Sequence, residues 1–215
     1  MSLKEALQTL SDKSFSQMPA DVGQKIKNGI ENTIRSGFKT NALKVGDVVP
    51  YFVLEDIFEN EKNVKDLIKN EYLVIDFYRG GWCPFCNMEL REYERLKNDF
   101  IEVGTNIVAI SPEKAEYTNI SSKENSITFD ILSDIDTKVM QEFGIVFTLD
   151  EDVKEIYEHF GINLEETQGN SEFKMPIPAT YVINKNLEVI FAHIEEDYTT
   201  RCEPKDVLDF LKLKS

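Results

Sequence analysis

Only two histidines, three cysteines and one tryptophan occur among the 215 residues. Three cysteines are too few for a disulfide scaffold. A structural zinc would need two ligands beyond Cys83 and Cys86, and only Cys202, His159 and His193 are left to supply them, in no paired motif. No metal is therefore expected. No run approaches the roughly 18–20 apolar residues that span a bilayer. The N-terminus, Met1-Ser2-Leu3-Lys4-Glu5-Ala6-Leu7, lacks the basic start, apolar block and small-residue cleavage site of a secretory leader. The cytoplasm is the expected compartment. Positive charge is also scarce, with 24 Lys and Arg against 39 Asp and Glu for a net charge of −15. Such a chain repels phosphate backbones and anionic lipid, so neither nucleic acid nor a membrane surface is an expected partner. Most of this charge serves solubility. Internal repeats and low-complexity segments are absent.

What is present suits an ordinary globular protein, with 41% hydrophobic and 29% charged residues. The length is enough for one large core. Residues 1–44 read as an N-terminal helical extension. Leu3, Ala6, Leu7 and Leu10 form one helical stripe, Ile26, Ile30 and Ile34 a second, and Met18-Pro19 breaks the run. Asp21 is the expected cap of the second helix. A single domain is expected over 45–215. There Phe52 and Leu54, then Val64 and Leu67, flank the polar turn Glu59-Asn60-Glu61, which predicts a hairpin near a sheet edge. Leu73-Val74-Ile75-Asp76-Phe77-Tyr78 reads as a central strand buried on both faces. A helix from Pro84 to about Phe100 leads to the strand Asn106–Ser111, a crossover long enough for parallel pairing. Further helices are expected near 112–123, 139–143, 150–160 and 204–213. Further strands are expected at 128–132, and at 180–183 and 189–191 as a hairpin about an asparagine-rich turn.

The chemistry concentrates in Arg79-Gly80-Gly81-Trp82-Cys83-Pro84-Phe85-Cys86. A strand runs into a glycine pair, and two cysteines open the following helix. With Cys83 at the N-cap, Pro84 falls at the first helical position, where its missing N–H costs nothing. Free N–H groups and the helix dipole then favour a Cys83 thiolate, and Cys86 lies within reach to close a disulfide. The site sits at the C-terminal edge of a sheet, where open α/β sheets place ligands. Trp82 is expected to shield the dithiol. Cys202 reads as an incidental thiol or a resolving partner, His193 as a packed residue, and His159 as a residue without a partner.

The stretch Phe77–Asn87, with Val45-Gly46-Asp47-Val48-Val49-Pro50, Ala109-Ile110-Ser111-Pro112 and Pro176-Ile177-Pro178-Ala179-Thr180-Tyr181-Val182-Ile183, resembles the peroxiredoxin-like branch of the alkyl hydroperoxide reductase and thiol-specific antioxidant (AhpC/TSA) family. The resemblance covers about residues 45–211. It implies a thioredoxin-like α/β fold, a central mixed sheet flanked by helices, and a cis-proline beside the dithiol at Pro178. Peroxiredoxins proper carry P-x-x-x-T-x-x-C around the peroxide-attacking cysteine, and an arginine from a distant strand. Aligning that cysteine with Cys86 puts Cys83 at the threonine, Arg79 at the proline, and Pro178 at the distant arginine. Local sequence is closer to thioredoxin and glutaredoxin, which place proline between two cysteines. Arg79 and Arg201, two of only five arginines, are candidates for an anion or substrate contact in place of the lost charge; the alternative is that both are solvated.

The nucleophile stays open at this point, because the alignment nominates Cys86 and helix capping nominates Cys83. The implied activity is a thiol-dependent oxidoreductase that reduces hydroperoxides or disulfides through a Cys83–Cys86 cycle. It would need no bound cofactor, only an external donor such as thioredoxin, glutaredoxin or glutathione. The alternative is a redox-sensing binding module without turnover. The sequence leaves oligomeric state open, a dimer included.

Overall fold

A computed structural model describes residues 1–214. Two helices lead, α1 (Leu3–Gln17) and α2 (Ala20–Arg35). Ser2 and Glu5 close a reciprocal capping box at the start of α1. Glu203 then takes the Leu3 and Lys4 N–H groups at 3.3 and 2.6 Å, which ties that end to the far end of the chain. Pro19, not Asp21, is the N-cap of α2, and no side chain caps it. The helix starts two residues earlier than an Asp21 cap would place it because proline already presets the φ of a chain entering a helix. Asp21 instead sits in the first turn, where its charge complements the dipole. The apolar stripes hold in part. Leu3, Leu7 and Ile26 are buried, while Ile34 is exposed.

The remaining elements are β1 (Val53–Asp56), β2 (Glu61–Asn63), α3 (Val64–Leu67), β3 (Tyr72–Phe77), α4 (Pro84–Glu102), β4 (Thr105–Ser111), α5 (Ala115–Asn125), β5 (Asp130–Ser133), α6 (Lys138–Glu142), β6 (Val146–Thr148), α7 (Glu151–His159), α8 (Leu164–Gln168), β7 (Lys174–Pro176), β8 (Ala179–Asn184), β9 (Val189–Ile194) and α9 (Pro204–Lys212). Seven strands form a mixed sheet in the order β2-β1-β5-β4-β3-β8-β9. The inner strands β3, β4 and β5 run parallel, and β8, β9, β1 and β2 close the two sides antiparallel. The hairpin β1–β2 lies at the edge, as its turn residues predict. Val64 and Leu67, however, turn inward on the short helix α3, which Asn63 caps through the Asp66 N–H. Strands β6 and β7 form a separate two-stranded sheet that no alternation in the sequence announces.

The sheet separates two apolar layers. On one side Val74, Ala109, Ile131 and Val182 pack with α1, α4 and α9 through Leu7, Leu90, Tyr93, Val207 and Leu211. On the other, Leu73, Ile75, Phe77, Val108 and Ile110 meet Met140, Phe143 and Tyr181. Strict alternation along β3 therefore sends Asp76 into the α4 layer, a fact that matters at the site. A smaller cluster joins Ile26 of α2 to Val153, Ile156 and Tyr157 of α7 and to Met175 of β7.

Gly144 shows how tightly the chain after α6 is seated. It has φ +72°, and a Cβ there would lie 2.3 Å from the Asn41 carbonyl oxygen. Gly161, at φ +80°, has nothing within 4 Å of the same position. Gly161→Ala should cost only the positive-φ strain, about 1 kcal/mol, whereas Gly144→Ala should cost roughly 2–3 kcal/mol more through the backbone clash. Urea denaturation of both variants checks the difference, and equal midpoints would remove the clash from the account.

Candidate active site

Strand β3 ends against Arg79, and the backbone then passes through Gly80 into α4. Gly80 has φ +151°, and a Cβ on it would fall 2.4 Å from Trp82 Nε1 and 2.9 Å from the Glu113 carboxyl carbon. Only glycine fits that approach. The next N–H, of Gly81, donates to Glu113 Oε2 at 2.7 Å. Glu113 is 2% exposed, and burial pushes its carboxyl up to about 7, against the opposing pull of the Gly81 N–H. Asn87 Nδ2 donates to the Gly81 carbonyl at 2.7 Å, so the turn is held from both sides.

Cys83 is the N-cap of α4 and Pro84 opens the helix, as expected. Two features differ from the capping argument. Both thiols are buried, Cys83 at 1% and Cys86 at 0% exposure, so neither sulfur lies open to solvent. In addition, no well-formed capping hydrogen bond joins the Cys83 side chain to the first turn, whose Cys86 N–H contributes least to its pKa. Charge and the neighbouring thiol take over. Burial raises the Cys83 pKa, but the Cys86 thiol, Arg79 and Arg201 outweigh it, with the Cys86 N–H last, and bring it down to about 5. Burial and then Cys83 itself push Cys86 well up. The pair therefore holds one proton and one negative charge, with Cys86 as thiol and Cys83 as thiolate.

Two buried arginines act on both sulfurs. Arg201, brought in by the loop before α9, donates from Nη2 to Cys86 Sγ at 3.1 Å. Its Nε pairs with Glu89 Oε2 at 2.6 Å, with both side chains 1% exposed. It also donates from Nη1 to the Tyr198 and Thr200 carbonyls, which fixes the guanidinium. Below it lies Asp76 at 1% exposure, held by Thr180 Oγ1 at 3.4 Å, with Oδ2 unpartnered. Burial raises the Asp76 pKa to about 7, Arg201 opposing and Cys86 adding. Arg79 is 2% exposed, between the rings of Trp82, Tyr157 and Tyr198 at 5.0, 5.6 and 4.0 Å from its guanidinium carbon. It donates to the Tyr157 hydroxyl. Neither arginine is solvated.

Of the residues the sequence nominates, Cys83, Cys86, Trp82, Pro84, Arg79 and Arg201 converge on one place. Trp82 packs at a tilt against Tyr157 with centroids 5.2 Å apart, and Tyr198 meets Phe85 edge to face at 5.8 Å. Pro178 is buried beside the cleft bordered by Arg79 and Tyr198. It departs from expectation in one respect: no peptide bond among the described residues is cis, so Pro178 is trans. No turn separates β7 from β8, so nothing local demands the rarer isomer. Cys202 is buried, bonded through Sγ to the Glu203 carbonyl at 3.8 Å, and burial followed by Glu89 drives its pKa well up. That environment suppresses a reactive thiolate. His193 is half-buried on β9, with Nε2 3.9 Å from Glu195, and His159 ends α7 on the surface.

Sequence reasoning passed over Asp76, Glu89, Glu113, Tyr157 and Tyr198. Two of them left a signal. Asp76 is the one charge inside an apolar strand, and Glu89 shares a helical face with Cys86, Leu90 and Tyr93. Charged residues on buried faces mark paired or reactive groups. Tyr157 and Tyr198 come from segments whose approach only the tertiary fold decides.

Three comparisons bear on this arrangement. In Mycobacterium tuberculosis (strain CDC 1551 / Oshkosh), a protein provisionally named as a peroxiredoxin is 31% identical over 106 residues, or 49% of this chain and 67% of that one. Peroxiredoxin Bcp of Escherichia coli (strain K12) is 27% identical over 105 residues, with the same coverage. The crystal structure of peroxidoxin BcpB from Mycobacterium tuberculosis superposes with a TM-score of 0.66 at 21% identity, over 80% of this chain and 99% of that one. At that identity the likeness establishes a shared peroxiredoxin-type fold, consistent with the mixed sheet and flanking helices. The family model described as the AhpC/TSA family matches residues 45–192, which takes in β1 through most of β9 and the whole dithiol turn. On that match the chain belongs to the AhpC/TSA family.

Proposed function

We propose that this protein is a thiol-dependent peroxidase in which Cys83 attacks and Cys86 resolves. The observation that carries the reading is the buried dithiol under two buried arginines, Arg201 bonded to Cys86 Sγ, with Cys83 held as thiolate and Cys86 as the thiol beside it. A thiolate displaces alkoxide or hydroxide from the O–O bond, leaving sulfenic acid on Cys83 and needing one proton for the leaving oxygen. The Cys86 sulfur then attacks Cys83, water departs, and a disulfide closes. Arg201 stabilises negative charge on Cys86 as it loses its proton. Two electrons from an external thiol donor, of the thioredoxin, glutaredoxin or glutathione kind, reopen the bond. Membership of this family favours turnover over a redox-sensing binding module.

Trp82, Pro84 and Pro178 shape the site in this scheme, and Cys202 takes no part. The test is peroxide consumption with a coupled thioredoxin system, followed by peptide mapping of the oxidised protein. Turnover together with a Cys83–Cys86 bridge is the expected outcome. A dominant bridge to Cys202 would overturn the residue assignment, and one equivalent consumed without recycling would favour the sensing module.

A further inference from the structure

Arg201 and Arg79 differ in what remains when the dithiol is oxidised. Arg201 keeps Glu89, 2.6 Å away. Arg79 has no carboxylate within 4.0 Å among the described residues; its one hydrogen bond is to the Tyr157 hydroxyl, and aromatic faces supply the rest of its surroundings. The negative charge nearest in function is the Cys83 thiolate, which closure of the disulfide removes. A buried cation then stands without a counter-ion, and three rings compensate it only in part. Arg79, 2% exposed, also lines a cleft of about 90 Å³ between α2, α7 and the start of β8, which is the route by which a ligand would reach its side chain.

We propose that in the oxidised protein Arg79 is a recognition site for a negatively charged group on the incoming reductant, so that anionic thiols are selected as electron donors. The inference rests on the Cys83–Cys86 cycle proposed above. In the step concerned, a donor thiolate attacks Cys83 Sγ, the Cys83–Cys86 bond breaks, and Cys86 leaves as a thiolate beside Arg201 and takes up a proton. A second donor thiolate attacks the donor sulfur of the mixed disulfide. This releases the donor disulfide and returns the Cys83 thiolate to Arg79, with two electrons delivered in all. A carboxylate on the donor replaces the missing counter-charge through the first of these attacks.

The field of the whole molecule argues for the reverse order, which makes the proposal decidable. The chain carries −15, and Asp150 and Glu196 stand at the cleft, already engaged by Asn32 Nδ2 at 3.0 Å and the Lys39 N–H at 3.1 Å. Long-range steering alone would favour a cationic thiol.

The experiment measures reduction of the oxidised full-length protein by 3-mercaptopropionate, 2-mercaptoethanol and cysteamine, at a pH where each thiolate fraction is known. Each rate is divided by that of the same thiol with uncharged hydroxyethyl disulfide. The anionic-to-cationic ratio should fall about ten-fold in Arg79→Gln, be retained in Arg79→Lys, and shrink in the unmutated protein at 1 M KCl. A general slowing of all three thiols cancels in this ratio, so damage to the dithiol does not mimic the effect. A ratio that favours cysteamine equally in the unmutated protein and Arg79→Lys overturns the proposal, as does one unchanged by Arg79→Gln. If mapping of the oxidised protein finds no Cys83–Cys86 bridge, the failure lies in the cycle itself.

Discussion

Cys83→Ser should lower the rate with hydrogen peroxide by at least about 10³-fold and abolish trapping of mixed disulfides with a donor protein. Cys86→Ser should instead consume one equivalent of peroxide and stop, with sulfenic acid on Cys83. The reason is electrostatic. Of the two sulfurs, Cys83 has its pKa held at about 5, while burial and the adjacent negative charge push Cys86 well up. Thiolate absorbance near 240 nm provides a separate reading. It should persist as pH falls toward 5, disappear below that, and be missing at neutral pH in Cys83→Ser. The sign for stability follows the same shift. A thiol ordinarily titrates near about 8.5, so the folded state gains from the depressed value above that pH and loses the gain as pH falls through 5. The family alignment makes the opposite assignment, since it places the peroxide-attacking sulfur at Cys86. Sulfenic acid on Cys86 in the Cys83→Ser protein, formed at the normal rate, would establish that assignment and remove ours.

Arg201→Met should be the most damaging single change outside the cysteines. It strips the counter-ion from Glu89, removes the positive charge that opposes the raised Asp76 pKa, and takes the donor from Cys86. Breaking a buried ion pair by removing one partner costs about 3–5 kcal/mol, because the other charge stays behind in a medium that cannot solvate it. The protein should respond partly by protonating Glu89, whose pKa burial already raises well above the carboxylate range. Glu89→Gln in the Arg201→Met background should therefore recover much of the stability without recovering activity. Urea denaturation of the two single variants and the double variant measures the coupling, and peroxide kinetics measures the chemistry. Stability losses that simply add would mean that the two side chains do not act as a pair. Full activity in the rescued double variant would mean that Arg201 does not support the Cys86 thiolate.

Asp76 and Glu89 show where local pattern stops being informative. Apolar alternation along 73–78 and the helical period of 84–100 predict a central strand and the helix that follows it, and both form. Those patterns are local: side chains alternate every residue in a strand and recur every three or four in a helix, whatever packs against them. The dithiol is legible for the same reason, since Gly80-Gly81 and Cys83-Pro84 specify a turn and a helix start within a few residues. A buried acid inside such a pattern reads as an exception, and its partner lies more than a hundred residues away. Arg201 meets Cys86 and Glu89 only because the loop before α9 folds back over the N-terminal half of α4.

What the sequence by itself determined, then, is the α/β order of elements, the parallel crossover between β3 and β4, and the placement of Cys83 and Cys86 at a helix start. Each follows from interactions between residues near in the chain. Tertiary structure alone decided that both sulfurs are buried, that Arg201 serves Cys86, and that aromatic rings enclose Arg79. It also decided the trans bond before Pro178 and the small β6–β7 sheet. The physical reason is common to all of these. Coulomb energy and desolvation depend on distance and burial in space, and Tyr157, Tyr198 and Arg201 reach the dithiol from positions 71–118 residues further along the chain.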